Sequence, residues 1–500
     1  MWDYLIVTAA NAQQAAAYEL QIEARRRIGQ LLSIRNVLVV PDPGGRRVGS
    51  GGSTVACLRE VLQRESAAGT EEILRRLRIL IVHAGGDSRR LPAYSPCGKL
   101  FVPLPETGAI FDRLVPAFLS LPEGSAGAGQ IVVAAGDALL LFDPAGIDLS
   151  RQGITALGAL VSPETAARHG VFCADRSGAV RLYLQKPGIS EQMRAGAIGA
   201  QGRSVLDIGV MSMDAGTAGV LLRAFGTSAA QSSMAAHGID LYREICCALG
   251  TEATFAHYLA STRASGSHVE EAVLGELFDA LRPIPAHVHA LERCDFLHFG
   301  STSQLISSGI ELVTLDGGAM PPNRIFTINS EVANGARVVG NCGWVEGCRL
   351  QAPLTLHGRN VIVGVDVGEP FELPEGACLD VAPGFNRQGE SVWFVRYYGI
   401  DDSFKDSVQQ GATFCGRQLR AWLRQVGAED VQIWDAGTPE QERTLWNARV
   451  SPAEKEPGAY REWRWMWAVD SATREQQRRF LKADRYSSAE IAVHVRLALP

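Results

Sequence analysis

Val332, Val338, Trp344, Leu350, Leu356 and Ile362 stand six residues apart, and all six are apolar. Small and turn-forming residues fill the intervals: Asn334-Gly335, Gly340-Asn341, Gly343, Gly347 and His357-Gly358. One inward apolar residue per hexad, with each hexad forming one short face of a coil, is the pattern of a parallel β-helix. The competing reading is an ordinary meander that meets the period by accident. Six consecutive hits favour the β-helix over about 328–366.

A β-helix cannot account for the rest of the chain. The first 165 residues alternate short apolar runs with helical patterns. Leu5–Ala9 reads as a strand. Asn11 is placed to cap a helix whose face is Leu20, Ala24, Ile28 and Leu31. Further strands are expected at 36–40, 79–82 and 131–134, with helices at about 53–64 and 110–121, the latter despite Pro116. Strands that are apolar throughout, separated by helices, imply a mostly parallel sheet covered on both faces. The texture turns helical over 235–282 and changes again after Pro283 and Pro285. A single core stops growing near roughly 250–300 residues, so a chain of 500 residues divides. The expected division is an α/β domain over 1–285, a β-helix over 286–408 and a helical C-terminal region over 409–500.

Charge and cysteine usage remove several classes of function. The 48 Lys and Arg are outnumbered by 54 Asp and Glu, and no basic stripe points to nucleic acid. No window approaches the roughly 18–20 apolar residues of a membrane span, and the start, Met1-Trp2-Asp3-Tyr4-Leu5, does not read as a signal peptide. Ten cysteines without a Cys-x-x-Cys pair read as buried thiols of a reducing, cytoplasmic compartment. His287 and His289 flank one Val without a third ligand nearby, and read as a surface pair.

The chemistry concentrates in His83-Ala84-Gly85-Gly86-Asp87-Ser88-Arg89-Arg90-Leu91-Pro92, with Lys99 and Pro103 beyond it. Adjacent glycines directly after a strand let backbone amides approach a triphosphate. Arg90 and Lys99 then supply cations for an α-phosphate and a departing pyrophosphate, which is most of what such a transfer requires. A surface turn with incidental basic residues would explain a lone Gly-Gly, but not the ordered set. Asp137, in Ala135-Gly136-Asp137, falls just past a strand, where open α/β sheets bind ligands.

This set resembles the signature loop of the sugar-nucleotide pyrophosphorylases, in which Gly85, Gly86, Arg90, Leu91 and Lys99 match. Ser88 and Arg89 replace the usual Gly-Thr, and Pro92 arrives one place early. The wording His-Ala-Gly-Gly-x-Ser-x-Arg-Leu-Pro is closest to the L-fucose-1-phosphate guanylyltransferase branch. Asp42-Pro43-Gly44-Gly45-Arg46-Arg47-Val48-Gly49-Ser50-Gly51-Gly52-Ser53-Thr54 resembles a second motif of that branch. It reads either as a nucleotide contact by Gly49, Gly51 and Gly52 or as a structural turn with Ser53 or Thr54 capping a helix. Gln185-Lys186-Pro187 resembles the family's Glu-Lys-Pro, whose Lys meets the sugar phosphate; Gln185 is a departure. Asp207-Ile208-Gly209-Val210 is similar to the strand lining the sugar pocket, and Ile239-Asp240-Leu241-Tyr242 to the second metal-binding segment. The opening Trp2-Asp3-Tyr4-Leu5 and the late Leu445-Trp446-Asn447-Ala448-Arg449-Val450 extend the likeness over nearly the whole chain.

The resemblance implies a Rossmann-like nucleotidyltransferase domain, a left-handed parallel β-helix and a helical cap. It implies a transfer in which a nucleoside triphosphate (GTP favoured) and a sugar 1-phosphate (L-fucose 1-phosphate favoured) give an NDP-sugar and pyrophosphate. Arg90, Lys99 and Asp137 would be catalytic, Lys186, Asp207 and Gly209 would hold the sugar phosphate, and Asp137 with Asp240 would hold Mg²⁺. An Asp before a helix is also an ordinary N-cap, so both readings of Asp240 stand. The kinase loop of bifunctional relatives is not found, so phosphorylating the sugar is expected to fall to a separate kinase, or to another part of a longer enzyme. Three alternatives remain at this stage: a non-catalytic nucleotide-sugar sensor, a pyrophosphorylase for another sugar, and an acyltransferase with His357 as its histidine. No partner is expected in nucleic acid or membrane, and the sequence leaves open whether the chain forms a homo-oligomer.

Overall fold

The computed structural model describes residues 1–65, 69–105 and 108–497. It is a mixed α/β protein with several parallel sheets. The chain divides into two compact units, one of residues 1–86 and 111–296, the other of residues 87–110 and 297–500.

The first unit is built on a nine-stranded sheet. β1 (Trp2–Ala9) lies between β2 (Ile34–Pro41) and β3 (Arg78–His83), and β4 (Gln130–Ala135) follows β3. These four strands are mutually parallel. Beyond β4 the sheet turns mixed, because Ser204–Met213 runs antiparallel to β4 and to Ile154–Val161. The hairpin of Gly170–Ala174 and Val180–Gln185 extends from the same strand. Ile6, Ile81, Ile131 and Val133 are buried, as the continuous apolar runs require of a sheet covered on both faces.

Helix α1 (Ala12–Arg27) is capped by Asn11, whose side chain accepts from the Gln14 amide. Its buried face is Gln14, Ala15, Ala17, Tyr18, Ile22 and Arg25. The sequence expectation of Leu20, Ala24, Ile28 and Leu31 is corrected in part: Leu20 and Ala24 are half-buried and Leu31 is buried beyond the helix end, but Ile28 is 72% exposed. Polar side chains with tertiary partners won the inner face. Arg25 makes a two-pronged ion pair with Asp112 at 2.6 and 2.7 Å and lies over the Phe111 ring. Such pairing is what permits a buried charge. Helix α2 (Gly49–Glu65) begins earlier than the sequence pattern implied. The helix expected over 242–249 is two short turns, Leu241–Ile245 and Cys246–Ala248.

In the second unit the hexads fall in successive short strands: Glu331–Val332, Val338–Gly340, Gly343–Glu346, Arg349–Leu350, Leu354–Leu356 and Asn360–Val363. Each pairs in parallel not with its neighbour but with a strand 16 to 18 residues away, as in Ile325↔Gly343↔Asn360, Val338↔Leu354↔Phe371 and Arg349↔Asp366. Three parallel ladders result. Trp344, Leu350, Leu356 and Ile362 are buried to within 1% of full burial, whereas Val332, on the first of its ladder's strands, is 45% exposed. The antiparallel hairpin Ala377–Phe385 and Ser391–Gly399 closes one ladder. The stretch expected to be helical near 410–430 contains a hairpin at 413–418 and a helix only at Leu419–Val426. After that come short helices and strands, with residues 498–500 outside the described residues.

The loop 87–110 belongs to the second unit. Tyr94 is buried there, and its hydroxyl accepts from Trp344 Nε1 at 3.0 Å. The Arg90 carbonyl accepts from the Thr302 amide at 2.9 Å.

Candidate functional site

In the first unit, the carboxyl ends of β1, β3 and β4 lie side by side, and the expected site residues follow them. Gly136 donates its amide to the His83 carbonyl at 2.9 Å, so Asp137 begins just past β4, with its side chain exposed. Ser204–Met213 pairs antiparallel to β4, with Val210 opposite Ala134, so Asp207 and Gly209 project past the same end. Gly209 has φ +76°, and a Cβ there would stand 2.9 Å from Ala135 Cβ and 3.0 Å from the Tyr242 hydroxyl. Only glycine suits both the left-handed backbone and the contact.

Tyr242 marks the convergence. Burial pushes its phenol well above the usual range, and the carboxylates of Asp207, Asp240 and Asp137 push the same way. The charges of three aspartates far apart in sequence are thus felt at one hydroxyl. Asp207 is buried, accepting from the Gly209 amide at 2.8 Å and the Tyr183 hydroxyl at 2.9 Å. Burial outweighs these bonds and lifts its pKa to about 6. Gln185 reaches the same Tyr183 hydroxyl at 3.4 Å. Lys186, exposed and with φ +52°, follows the hairpin strand directly.

Asp240 caps the turn at 241–245. Its Oδ1 accepts from the amides of Tyr242 and Arg243 at 2.9 and 3.0 Å, and its Oδ2 accepts from Ser50 Oγ at 3.0 Å. The cap reading is therefore realised, and Oδ2 keeps lone-pair capacity for a further partner. Gly51 and Gly52 spend their amides on the Ile239 carbonyl at 2.9 and 3.2 Å, and the Ile239 amide donates to Val48 at 2.8 Å. A Cβ at Gly49 would overlap Ile239. The second glycine motif thus packs on the segment that carries Asp240.

The turn after β3 is pinned from one side. Thr8 Oγ1 accepts from the amides of Ala84 and Gly85 at 3.1 and 3.2 Å, Tyr18 donates to the Ala84 carbonyl at 2.9 Å, and Gln14 to the Gly86 carbonyl at 3.1 Å. Within the second unit, Arg90 and Lys99 converge. A Cβ built on Gly300 would lie 3.4 Å from Lys99 Nζ and 3.8 Å from an Arg90 guanidinium nitrogen. His357 stands half-exposed 3.4 Å from Glu372.

Sequence reasoning missed Thr8 and Tyr183, gave no role to His83, Ser50 and Tyr242 within their motifs, and read Ser53 or Thr54 as a helix cap, whereas both lie inside α2. Thr8 alone gave a usable signal, as a polar residue at the end of an apolar strand. No cluster of three or more His, Cys, Asp or Glu side chains fit for a metal occurs among the described residues.

The geometry defines an α/β protein whose candidate polar site lies at the carboxyl ends of the parallel strands of a mixed sheet. The chain belongs to the fucose pyrophosphorylase family, whose domain matches residues 71–456. It is similar to the bifunctional fucokinase/GDP-fucose pyrophosphorylase of Arabidopsis thaliana, at 25% identity over 98% of this chain and 50% of the relative. It is also similar to the L-fucokinase/L-fucose-1-P guanylyltransferase of Bacteroides fragilis, at 26% identity over 77% of this chain and 40% of the relative. The fucose-1-phosphate guanylyltransferase of Homo sapiens is 27% identical over 90% of this chain and 81% of its own length. The chain thus spans half or less of the two bifunctional relatives. No helix among the described residues is long and apolar enough to cross a membrane.

Proposed function

We propose that this protein is a sugar-1-phosphate nucleotidyltransferase that converts GTP and L-fucose 1-phosphate into GDP-L-fucose and pyrophosphate. The observation that carries the reading is the placement of Asp137, Asp207 and Gly209 past the end of the sheet where the Gly85-Gly86 turn lies, with Gly209 against the Tyr242 hydroxyl and the Tyr242 amide donating to Asp240. Family membership, and the likeness to the human fucose-1-phosphate guanylyltransferase, support the substrates. We also read the first unit as a Rossmann-like nucleotidyltransferase domain and the three ladders as a parallel β-helix. The protein works in the cytoplasm, downstream of a sugar kinase.

An oxygen of the sugar phosphate attacks the α-phosphorus of GTP, and the bond from that phosphorus to the bridging oxygen breaks to release pyrophosphate. The nucleophile is already a phosphate anion, so no general base is needed. Lys186 meets the sugar phosphate and Asp207 lines the sugar pocket beside Gly209. Arg90 and Lys99 neutralise the charge that grows on the transferring and leaving phosphates. Gly85 and Gly86 bring backbone close to the nucleotide, while Gly49, Gly51 and Gly52 act by placing Asp240. The oxygen donors of Asp137 and Asp240 suit a hard cation, because Asp137 is exposed and Asp240 Oδ2 carries a single hydrogen bond. Mg²⁺ held there supplies charge neutralisation on the nucleotide phosphates.

The test is pyrophosphate release across a grid of nucleoside triphosphates and sugar 1-phosphates, for wild type and Asp137→Ala. A dominant signal at GTP and L-fucose 1-phosphate, reduced about 10³-fold in the variant with the fold intact, is expected. A dominant signal elsewhere would replace the substrates, and unchanged activity in Asp137→Ala would remove the assignment.

A further inference from the structure

A directed chain of hydrogen bonds runs beneath the glycine turns of the first unit, with His83 at its centre. Thr54 Oγ1 gives its one hydrogen to the Ser50 carbonyl at 2.9 Å. It must therefore accept from His83 Nε2, which lies 2.9 Å away. Nε2 carries the ring hydrogen, and Nδ1 presents a lone pair. Thr8 Oγ1, 3.4 Å from Nδ1, already accepts from the amides of Ala84 and Gly85, so its own hydrogen turns to the ring. At the far end Ser50 Oγ donates to Asp240 Oδ2 at 3.0 Å and accepts from the Leu241 amide at 2.8 Å. Each hydrogen has one acceptor, so the ring has one tautomer that satisfies all its neighbours. Burial keeps the imidazole neutral, with its pKa brought down to about 4 against the opposing pull of Asp240.

We propose that His83, as its Nε2–H tautomer, is a positioning residue that locks the turn at 84–86 against the Ser50–Asp240 pair, an inference that rests on the nucleotidyltransferase reading. The ring acts through its protein neighbours. It fixes two segments that approach the nucleotide, and slippage of about 1 Å between such segments costs on the order of 10²-fold in rate. Gln can replace the ring chemically, since one carboxamide offers an oxygen to the Thr8 hydroxyl and an N–H to Thr54. Leu fills the space and does neither.

The experiment compares wild type, His83→Gln and His83→Leu by steady-state pyrophosphate release with GTP and L-fucose 1-phosphate, and by thermal unfolding. His83→Leu is expected to lose about 30–100-fold in kcat, with KM for GTP within about threefold, and His83→Gln to stay within about fivefold of wild type. A Gln variant as impaired as the Leu variant, or losses that follow the unfolding temperature alone, would reduce His83 to a packing residue. Ring ¹⁵N NMR adds a readout free of activity. One histidine, absent from His83→Gln, should show a protonated Nε2 and a bare Nδ1 down to about pH 5; the other tautomer, or an imidazolium, overturns the chain. If wild type releases no pyrophosphate, the nucleotidyltransferase reading fails with it, while the ring spectrum still decides the hydrogen-bond chain.

Discussion

Asp207→Asn should stabilise the protein at neutral pH and leave it unchanged in acid. Asp207 is 6% exposed, and its pKa rises from 3.8 to about 6 in the fold. The folded protein thus holds this proton to higher pH than the unfolded chain does. Below pH 3.8 both states are protonated and the carboxyl costs nothing. Between 3.8 and about 6 the unfolded chain ionises first, so stability falls by about 1.4 kcal/mol per pH unit. Above about pH 6 the cost levels off, on the order of 3 kcal/mol. Asn keeps the geometry: its oxygen accepts from the Gly209 amide and its N–H₂ donates to the Tyr183 hydroxyl, which then turns to Gln185 Oε1 at 3.4 Å. Urea unfolding of both proteins from pH 4 to 8 is the assay. The midpoints should coincide near pH 4 and diverge toward pH 6.5, with the variant higher. A constant offset at every pH would show that packing sets the difference, and would refute the electrostatic account.

Three further outcomes are expected. Gly340→Ala should lower the unfolding temperature by several degrees or prevent soluble expression, because Gly340 has φ +126° and a Cβ would overlap the Leu356 carbonyl of the parallel strand beside it. Trp344→Ala should cost about 3–5 kcal/mol in urea unfolding, since a fully buried indole and its bond to Tyr94 are both lost. Of the ten cysteines, the partly exposed Cys342 should react first with a thiol reagent at pH 7.5, while Cys57, Cys246 and Cys378, buried and with thiols pushed upward, should react only after denaturation.

The short parallel strands of the second unit were legible because their pattern acts locally. One apolar residue recurs at a fixed interval, and Trp344, Leu350 and Leu356 at that interval are buried. The α1 face was misread for the opposite reason. Gln14, Tyr18 and Arg25 are buried by partners 72, 66 and 87 residues away, and no periodicity encodes such partners. The same holds for the loop that carries Arg90 and Lys99. Its attachment runs through Tyr94 to Trp344, a separation of 250 residues, and nothing near residue 94 forecasts it.

The second glycine motif shows how glycines that read as a ligand site also serve backbone packing. Glycines between a strand and a helix read as free amides waiting for phosphate. Here the amides of Gly51 and Gly52 are spent on the Ile239 carbonyl, and the Ile239 amide returns a bond to Val48. The glycines let two backbones approach where side chains would overlap. That approach sets Asp240 against Ser50, at the amino end of α2, whose partial positive charge favours a carboxylate. The cap and ligand readings of Asp240 are therefore compatible. Oδ1 is fixed by two amides, Oδ2 is steadied by one hydroxyl, and a carboxylate held this way needs little reorganisation to meet a cation. Asp240→Asn preserves the amide contacts of Oδ1 but removes the charge. It should keep the unfolding temperature within about 2 °C and raise the Mg²⁺ concentration needed for half-maximal pyrophosphate release about tenfold. A Mg²⁺ requirement unchanged from wild type would leave Asp240 as a cap alone.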